Sequence, residues 1–268
     1  MTIRVLVPIS GGKDSQASLK LALENYAPSE VRGLFCDTRF EHPKTYAHVE
    51  WMRQYYGVQI DTVCAGSVEE QCLKHKRFPG GGARFCTEEL KIWPTKRYCR
   101  DLAVKQGSIL KPNTSDDHRN RQADGGFEVW YGMRGDESHE RSVRYAGKVC
   151  DELYAPHEVL PGKYPKYLQR MGVMFRLCIV DWSTEDVVEF VGKENLNPLY
   201  GDGFPRVGCF PCMASGDRWK DMAFRHDVFG ASQHQKVIRI SEQIGKDIWT
   251  SKNGKARYED QGCLFCSI

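Results

Sequence analysis

The sequence predicts an α/β fold, a doubly wound and mainly parallel sheet with flanking helices, followed by a C-terminal cysteine-rich lobe of helix and loop. Three observations carry that expectation. Short apolar runs alternate with helical periodicity over residues 3–64. A glycine-rich turn containing a lysine follows the first apolar run directly. Two Cys-x-x-Cys pairs, Cys209 with Cys212 and Cys263 with Cys266, fall in the last part of the chain.

Taken in order, "IRVLVPI" (3–9) is a short strand, and Leu19, Ala22, Leu23 and Tyr26 then recur at helical spacing. "VRGLFC" (31–36) is a second strand. The next helix is punctuated at both ends: Pro43 suits a first helical position, Tyr46, Val49 and Met52 share a face, and Gly57 sits where a C-terminal glycine belongs. "VQIDTVC" (58–64) is the third strand, and the β-α-β-α-β order calls for parallel pairing under covering helices. Farther on, "FEVWYGM" (127–133) and "FRLCIV" (175–180) read as strands, while Ser183 and Asp186 frame a cap for the helix "TEDVVEFV" (184–191). The polar stretch "NTSDDHRNRQADGG" (113–126) is a mobile surface insertion by composition. The expected division is an α/β domain over residues 1–195 and a cysteine-rich segment over residues 196–268.

A chain of 268 residues can bury a substantial core without disulfides. Its 38 basic and 35 acidic residues leave a formal charge of +3, too near balance to mark a nucleic-acid or membrane partner by charge alone. No apolar run reaches the ~18 residues of a membrane span, and the N-terminus enters a strand pattern at once rather than a signal peptide. A cytoplasmic protein with no membrane partner is the expectation; the sequence sets no oligomeric state. Eleven cysteines, four of them in paired spacing, suit metal or redox chemistry in a reducing compartment. Cys36, Cys64, Cys72, Cys99, Cys150 and Cys178 are expected as small buried hydrophobes.

In an open parallel sheet, ligands bind beyond the carboxyl ends of the strands, where the loop after the first strand must lie. Ser10, Gly11, Gly12, Lys13, Asp14 and Ser15 form that loop. Its glycines let backbone amides approach an anion, the following helix adds the positive end of its dipole, and Lys13 adds a full charge. The spacing is not that of G-x-x-x-x-G-K-[ST]. Asp37 ends the second strand at the same edge, in reach of a ribose hydroxyl or a metal. Arg134 and Arg141, in "YGMRGDESHERSVR" (131–144), can clamp phosphate or sulfate, or pair with the acids of their own loop.

Cys86 precedes Thr87, Glu88 and Glu89, a helix opening that favours a thiolate as nucleophile or metal ligand. The two cysteine pairs stand about 50 residues apart and converge on one ion or cluster only if the chain between them folds back. Four thiolates accept zinc or an iron–sulfur cluster alike. Lys163, Lys166 and Arg170, interleaved with Tyr164 and Tyr167, can flank a nucleic-acid strand, although a solvated amphipathic segment is the simpler reading.

"SGGKDS" (10–15) resembles the PP-loop of the adenine nucleotide α-hydrolases, the superfamily of ATP pyrophosphatases and phosphoadenosine phosphosulfate (PAPS) reductases. Four later segments are similar, in the same order, to its reductase-like branch. "FCDTRFEHPKTY" (35–46) matches at Asp37, Thr38, Glu41, Pro43 and Thr45, and "ARFCTEELKIWP" (83–94) at Cys86, Lys91 and Pro94. The arginine loop matches at Gly132, Arg134, Glu137, Ser138 and Arg141, and the run from Ile179 through an Asn-Pro-Leu-Tyr turn to Cys209 and Cys212 completes the set.

The resemblance implies that residues 10–15 with Asp37, Thr38, Arg134 and Arg141 hold ATP with Mg²⁺, and that Lys13 and Asp14 serve its cleavage to AMP and pyrophosphate. It implies adenylation coupled to sulfur transfer from a sulfur donor onto an acceptor, nucleic acid being one class, with a 4Fe-4S cluster. Because Thr87 stands where that branch has a second cysteine, the implied ligands are Cys86, Cys209, Cys212 and either Cys263 or Cys266. The competing site is zinc held by Cys209, Cys212, Cys263 and Cys266. One alternative is a sulfonucleotide reductase served by a thioredoxin-like reductant, with Cys266 as a substitute nucleophile, since the terminal Glu-Cys-Gly-Leu-His of that branch is replaced by "GCLFCSI". Another is a non-catalytic nucleotide- and metal-binding accessory protein.

Overall fold

Six strands, β1 (Val5–Ile9), β2 (Val31–Asp37), β3 (Ile60–Cys64), β4 (Phe127–Trp130), β5 (Leu153–Tyr154) and β6 (Val173–Arg176), form one sheet in the order β3-β2-β1-β4-β6-β5. The molecule is seen in a computed structural model that describes residues 2–80, 84–108 and 125–249. Every neighbouring pair is parallel except β5 with β6, at the edge. The expected insertion at 113–126 and the tail with Cys263 and Cys266 lie largely or wholly outside the described residues.

The helices are α1 (Lys13–Asn25), α2 (Pro43–Tyr55), α3 (Val68–His75), α4 (Phe85–Thr87), α5 (Trp93–Lys105) and α6 (His139–Arg144) in the first part of the chain. They continue with α7 (Pro156–Val159), α8 (Tyr167–Arg170), α9 (Thr184–Val191), α10 (Pro198–Gly201), α11 (Asp217–His226) and α12 (Val228–Ile244). None of these is long and apolar enough to cross a membrane.

Local chemistry explains the boundaries. Pro43 opens α2, where a missing N–H costs nothing, and Gly57 takes φ +60° just past its end. At α9 the expected cap is reciprocal: Ser183 Oγ accepts from Asp186 N at 3.0 Å, and the Asp186 carboxylate accepts from Ser183 N at 2.7 Å. "FRLCIV" departs from expectation, because pairing ends at Arg176 and the chain turns, with Val180 N donating to Leu177 O at 3.1 Å. Leu177 and Val180 enter one core while Cys178 and Ile179 enter the other, so this apolar run is a buried turn.

β1 buries all five residues. Leu6 packs with Leu34, Val129 and Phe175 on one face, and Val5, Val7 and Ile9 pack with Leu19, Val49 and Met52 on the other. Burial on both faces is why a parallel strand reads as an unbroken apolar run. A third core joins Phe40, Val68, Cys72 and Leu90 to Met213, Phe224, Val237 and Ile240, seating α11 and α12 against α3 and the segment after β2. The strand order reverses at β1, with β2 on one side and β4 on the other. That crevice is where such a sheet takes its ligand.

Four of the six cysteines expected in the interior are there: Cys36, Cys72, Cys99 and Cys178. Burial pushes the Cys36 thiol up to about 11 and those of Cys72 and Cys178 to about 12. Cys64 is exposed, because β3 is an edge strand, and Cys150 is half-buried with Sγ 2.6 Å from Asp181 Oδ1. The segment 163–170, expected as a solvated amphipathic stretch or a nucleic-acid flank, is partly core: Tyr164 is buried and shares a 2.7 Å hydroxyl contact with Tyr131, and Lys163 reaches Glu88.

Candidate functional site

Ser10–Ser15 occupy the crevice at the end of β1, and all six residues are buried. Gly11 takes φ +77°, and a Cβ there would meet Thr45 Cγ2 at 2.6 Å, so the turn requires glycine. The loop is tied to itself: Ser15 Oγ accepts from Ser10 N at 3.1 Å and donates to Gly12 O at 2.9 Å. It is also tied to α10. Asn197 Nδ2 donates to Gly11 O at 3.1 Å, and the Tyr200 hydroxyl accepts from Lys13 N at 3.0 Å.

The two charged side chains of the loop form a buried trio with Arg134. Lys13 Nζ lies 2.9 Å from Asp14 Oδ2, and Arg134 Nε lies 2.7 Å from Asp14 Oδ1. Burial alone would raise the Asp14 carboxyl, but Lys13 and Arg134 together hold it below the usual carboxylate range. Burial lowers the Lys13 ammonium, against the pull of Asp14. Arg134 is only 1% exposed and also donates to Trp182 O and Thr184 Oγ1.

A cavity of about 650 Å³ opens from this loop. Lys13, Arg134, Lys193 and Arg206 bring positive charge to it against the carboxylates of Asp14, Asp136 and Glu137, Leu196, Phe204, Val207 and Trp219 line it with apolar surface, and Cys209 and Cys212 stand on its wall. Its size and its mixed charged and apolar lining suit a small, polar, partly apolar ligand.

A smaller cavity of about 20 Å³ is lined by Cys86, Cys209 and Cys212 with Thr38, Arg84 and Lys91. Cys86 sits in α4, which continues through a π-helical turn at Glu88–Ile92 into α5. Cys209 is placed by the segment after β2: Glu41 forms an isolated β-bridge with it, Phe210 N donates to Phe40 O, and Thr38 Oγ1 lies 3.3 Å from Cys209 Sγ. Glu41 is 3% exposed and accepts from Thr38 N, Thr38 Oγ1 and Phe40 N, which anchors that segment. Three soft thiols line this one small space, but their sulfur atoms do not all come within 4.8 Å of one another, a spacing wider than a single ion needs; the donor type is the one a thiolate-bound cluster uses.

A separate group, His42, His226 and Asp227, brings three ligand-type atoms within 4.8 Å of one another. His42 Nδ1 accepts from Lys44 N at 3.0 Å, so the ring is neutral with its proton on Nε2, which donates to Asp227 Oδ2 at 2.9 Å. Binding an ion through Nε2 would require this proton to leave and the α2 cap to be lost.

Residues 4–215 match the phosphoadenosine phosphosulfate reductase domain. The chain belongs to this family. It is 26% identical over 212 residues to an uncharacterized protein of Methanocaldococcus jannaschii, covering 78% of this chain and 36% of that protein. To the adenosine 5'-phosphosulfate reductase of Anoxybacillus flavithermus it is 25% identical over 196 residues, covering 70% of this chain and 65% of the enzyme. The chain therefore spans less than two thirds of either relative. A solved structure similar to it is the U34-tRNA thiolase NcsA from Methanococcus maripaludis with its [4Fe-4S] cluster, at TM-score 0.44 and 13% identity, covering all of this chain and 81% of that one.

Within this PAPS reductase domain, the segments expected at the site fall into two groups. Ser10, Gly12, Lys13, Asp14 and Arg134 line the large cavity, while Thr38 lines the thiol pocket instead. Asp37 Oδ1 accepts from Tyr46 OH and Arg39 N, both at 2.7 Å. Arg141 is buried and paired with Glu137, which in turn holds Arg206 at 3.0 Å. Cys263 and Cys266 lie outside the described residues. Residue-by-residue reading missed Asn197, Tyr200 and Arg206, and the signal for the first two was present in the Asn-Pro-Leu-Tyr turn.

Proposed function

We propose that this PAPS reductase-family protein binds ATP with Mg²⁺ on residues 10–15, cleaves it to AMP and pyrophosphate, and couples adenylation to sulfur transfer onto an acceptor. One observation carries the reading: Cys209 and Cys212 stand on the wall of the cavity that opens from the loop and also line the thiol pocket with Cys86. This shared wall supports a reading in which nucleotide chemistry and thiolate chemistry are neighbours.

An acceptor oxygen attacks the α-phosphorus, and the bond to the β-phosphate oxygen breaks with its electron pair leaving on pyrophosphate. Lys13 and Arg134 are positioned to stabilise that departing charge, and Asp14 holds both in place. Asp14, once a polyphosphate took over these cations, would be free to hold Mg²⁺, which would supply further positive charge to the departing pyrophosphate. A sulfur nucleophile then displaces AMP from the adenylated acceptor. An iron–sulfur cluster held by Cys86, Cys209, Cys212 and one tail cysteine would supply, when bound, a place to hold the incoming sulfur.

The test is anaerobic purification with an absorption spectrum and metal analysis, then incubation with ATP and Mg²⁺. A broad visible band, iron, and release of AMP with pyrophosphate are expected. Lys13→Ala should abolish release and spare the iron. Zinc without iron would remove the cluster from the reading, and retained nucleotide without turnover would favour an accessory protein.

The similarity to an adenosine 5'-phosphosulfate reductase supports a second reading. There a thiolate attacks the sulfur of a bound sulfonucleotide, the nucleotide leaves, and a dithiol reductant releases sulfite while itself becoming a disulfide. Sulfite from a sulfonucleotide with thioredoxin, and no AMP from ATP, would establish it.

A further inference from the structure

Tyr200 projects from the short α10 onto the wall of the large cavity, beside the loop. Its oxygen accepts the Lys13 N–H at 3.0 Å, and its own O–H has no acceptor among the described residues. A half-buried hydroxyl on the cavity wall with only half of its bonding used has a donor to offer a ligand that enters there. The nearest carboxylate on the loop, Asp14, is taken by Lys13 and Arg134. Burial pushes the Tyr200 phenol well above its ordinary value, so it keeps its proton and can donate.

The placement is fixed from two directions. Asn197 caps α10 by accepting Leu199 N at 3.0 Å and simultaneously donates to Gly11 O, which locks the turn carrying Tyr200 to the loop. A Cβ on Gly12 would lie 3.1 Å from the Tyr200 oxygen, so the hydroxyl sits in the space that the second glycine leaves open.

We infer that Tyr200 is a phosphate ligand, its O–H donating to an oxygen of the phosphoryl group held by residues 10–15. The inference rests on the reading of that loop as a pyrophosphate grip. Tyrosine supplies there a donor that carries no charge, while Lys13 and Arg134 supply the charge.

The experiment is calorimetric titration of inorganic pyrophosphate into wild type, Lys13→Ala and Tyr200→Phe, with the ligand-free melting temperature of each recorded. Loss of one hydrogen bond to a charged group should weaken pyrophosphate binding by Tyr200→Phe about tenfold or more at an unchanged melting temperature. Equal or tighter binding by Tyr200→Phe, with binding lost in Lys13→Ala, would overturn the role of Tyr200 and leave the nucleotide reading standing. A wild type that binds neither pyrophosphate nor ATP would overturn both. Should Tyr200→Phe not fold, ultraviolet resonance Raman spectra of wild type decide: pyrophosphate must convert one tyrosine hydroxyl from acceptor to donor, and an unchanged tyrosine doublet would refute the contact.

Discussion

His48 shows how a single buried group makes this fold sensitive to acid. It lies on α2 with Nε2 3.0 Å from Gln16 Oε1, stacked on Trp51, and Gln16 is oriented by donating its own amide to Asn195 O. Burial pushes His48 down to about 4, so it is neutral in the native state across most of the working range. The unfolded chain takes up the proton near pH 6.5, hence stability present above that pH is lost as pH falls toward 4, by up to about 1.4 kcal/mol per unit. His48→Gln should flatten the fall in melting temperature between pH 6.5 and 4, leaving the smaller slope from His42, which burial also lowers. Identical slopes in variant and wild type would contradict this. Lys13 and the two glycines were legible in the sequence because a phosphate loop is written in adjacent residues. Asn197 and Tyr200 were not assigned, since their contacts with the loop span 186 and 187 residues.

At the scale of elements, α1 and the segment after β4 approach backbone to backbone. A Cβ on Gly132 would stand 2.5 Å from Asp14 O and 2.7 Å from Asp14 C, with no flexible side chain to yield. Gly132→Ala should therefore displace the start of α1, destabilise the protein on the order of 1–3 kcal/mol in chemical denaturation, and weaken pyrophosphate binding in the same variant. Full retention of both would show that the contact relaxes freely. Elements marked by local chemistry were readable, such as α2 with Pro43 and α9 with its reciprocal cap. The run at Leu177–Val180 was not, because a buried turn and a buried strand share the same apolar composition, and β5 is a two-residue edge pairing with no period to read.

Across the whole molecule, the two cavities divide the labour unequally among the cysteines. Cys86 lines only the small one, whereas Cys209 and Cys212 line both. Cys86→Ser is expected to lose bound metal while its affinity for pyrophosphate stays within about twofold of wild type, the mirror image of Lys13→Ala; atomic absorption and calorimetry on the same preparation check both. Loss of pyrophosphate binding in Cys86→Ser would mean that the thiol pocket supports the loop directly. Convergence of Cys86 with the later pair was expected from family resemblance; the bridge between Glu41 and Cys209 fixes one side of it, and the core of Phe40, Phe85, Leu90 and Met213, against which Cys86 and Cys209 both pack, joins the other.

The clasp of Asn197 and Tyr200 on the loop also bears on how the chain is born. Residues 10–15 are made before β2, and β1 can begin pairing with β2 as soon as that strand emerges. The two groups that hold Gly11 O and Lys13 N arrive only near residue 200, after every strand of the sheet has been made. A nascent chain can thus own the six described strands and still have an unfinished loop at residues 10–15, which is completed only when the segment around residue 200 packs against it.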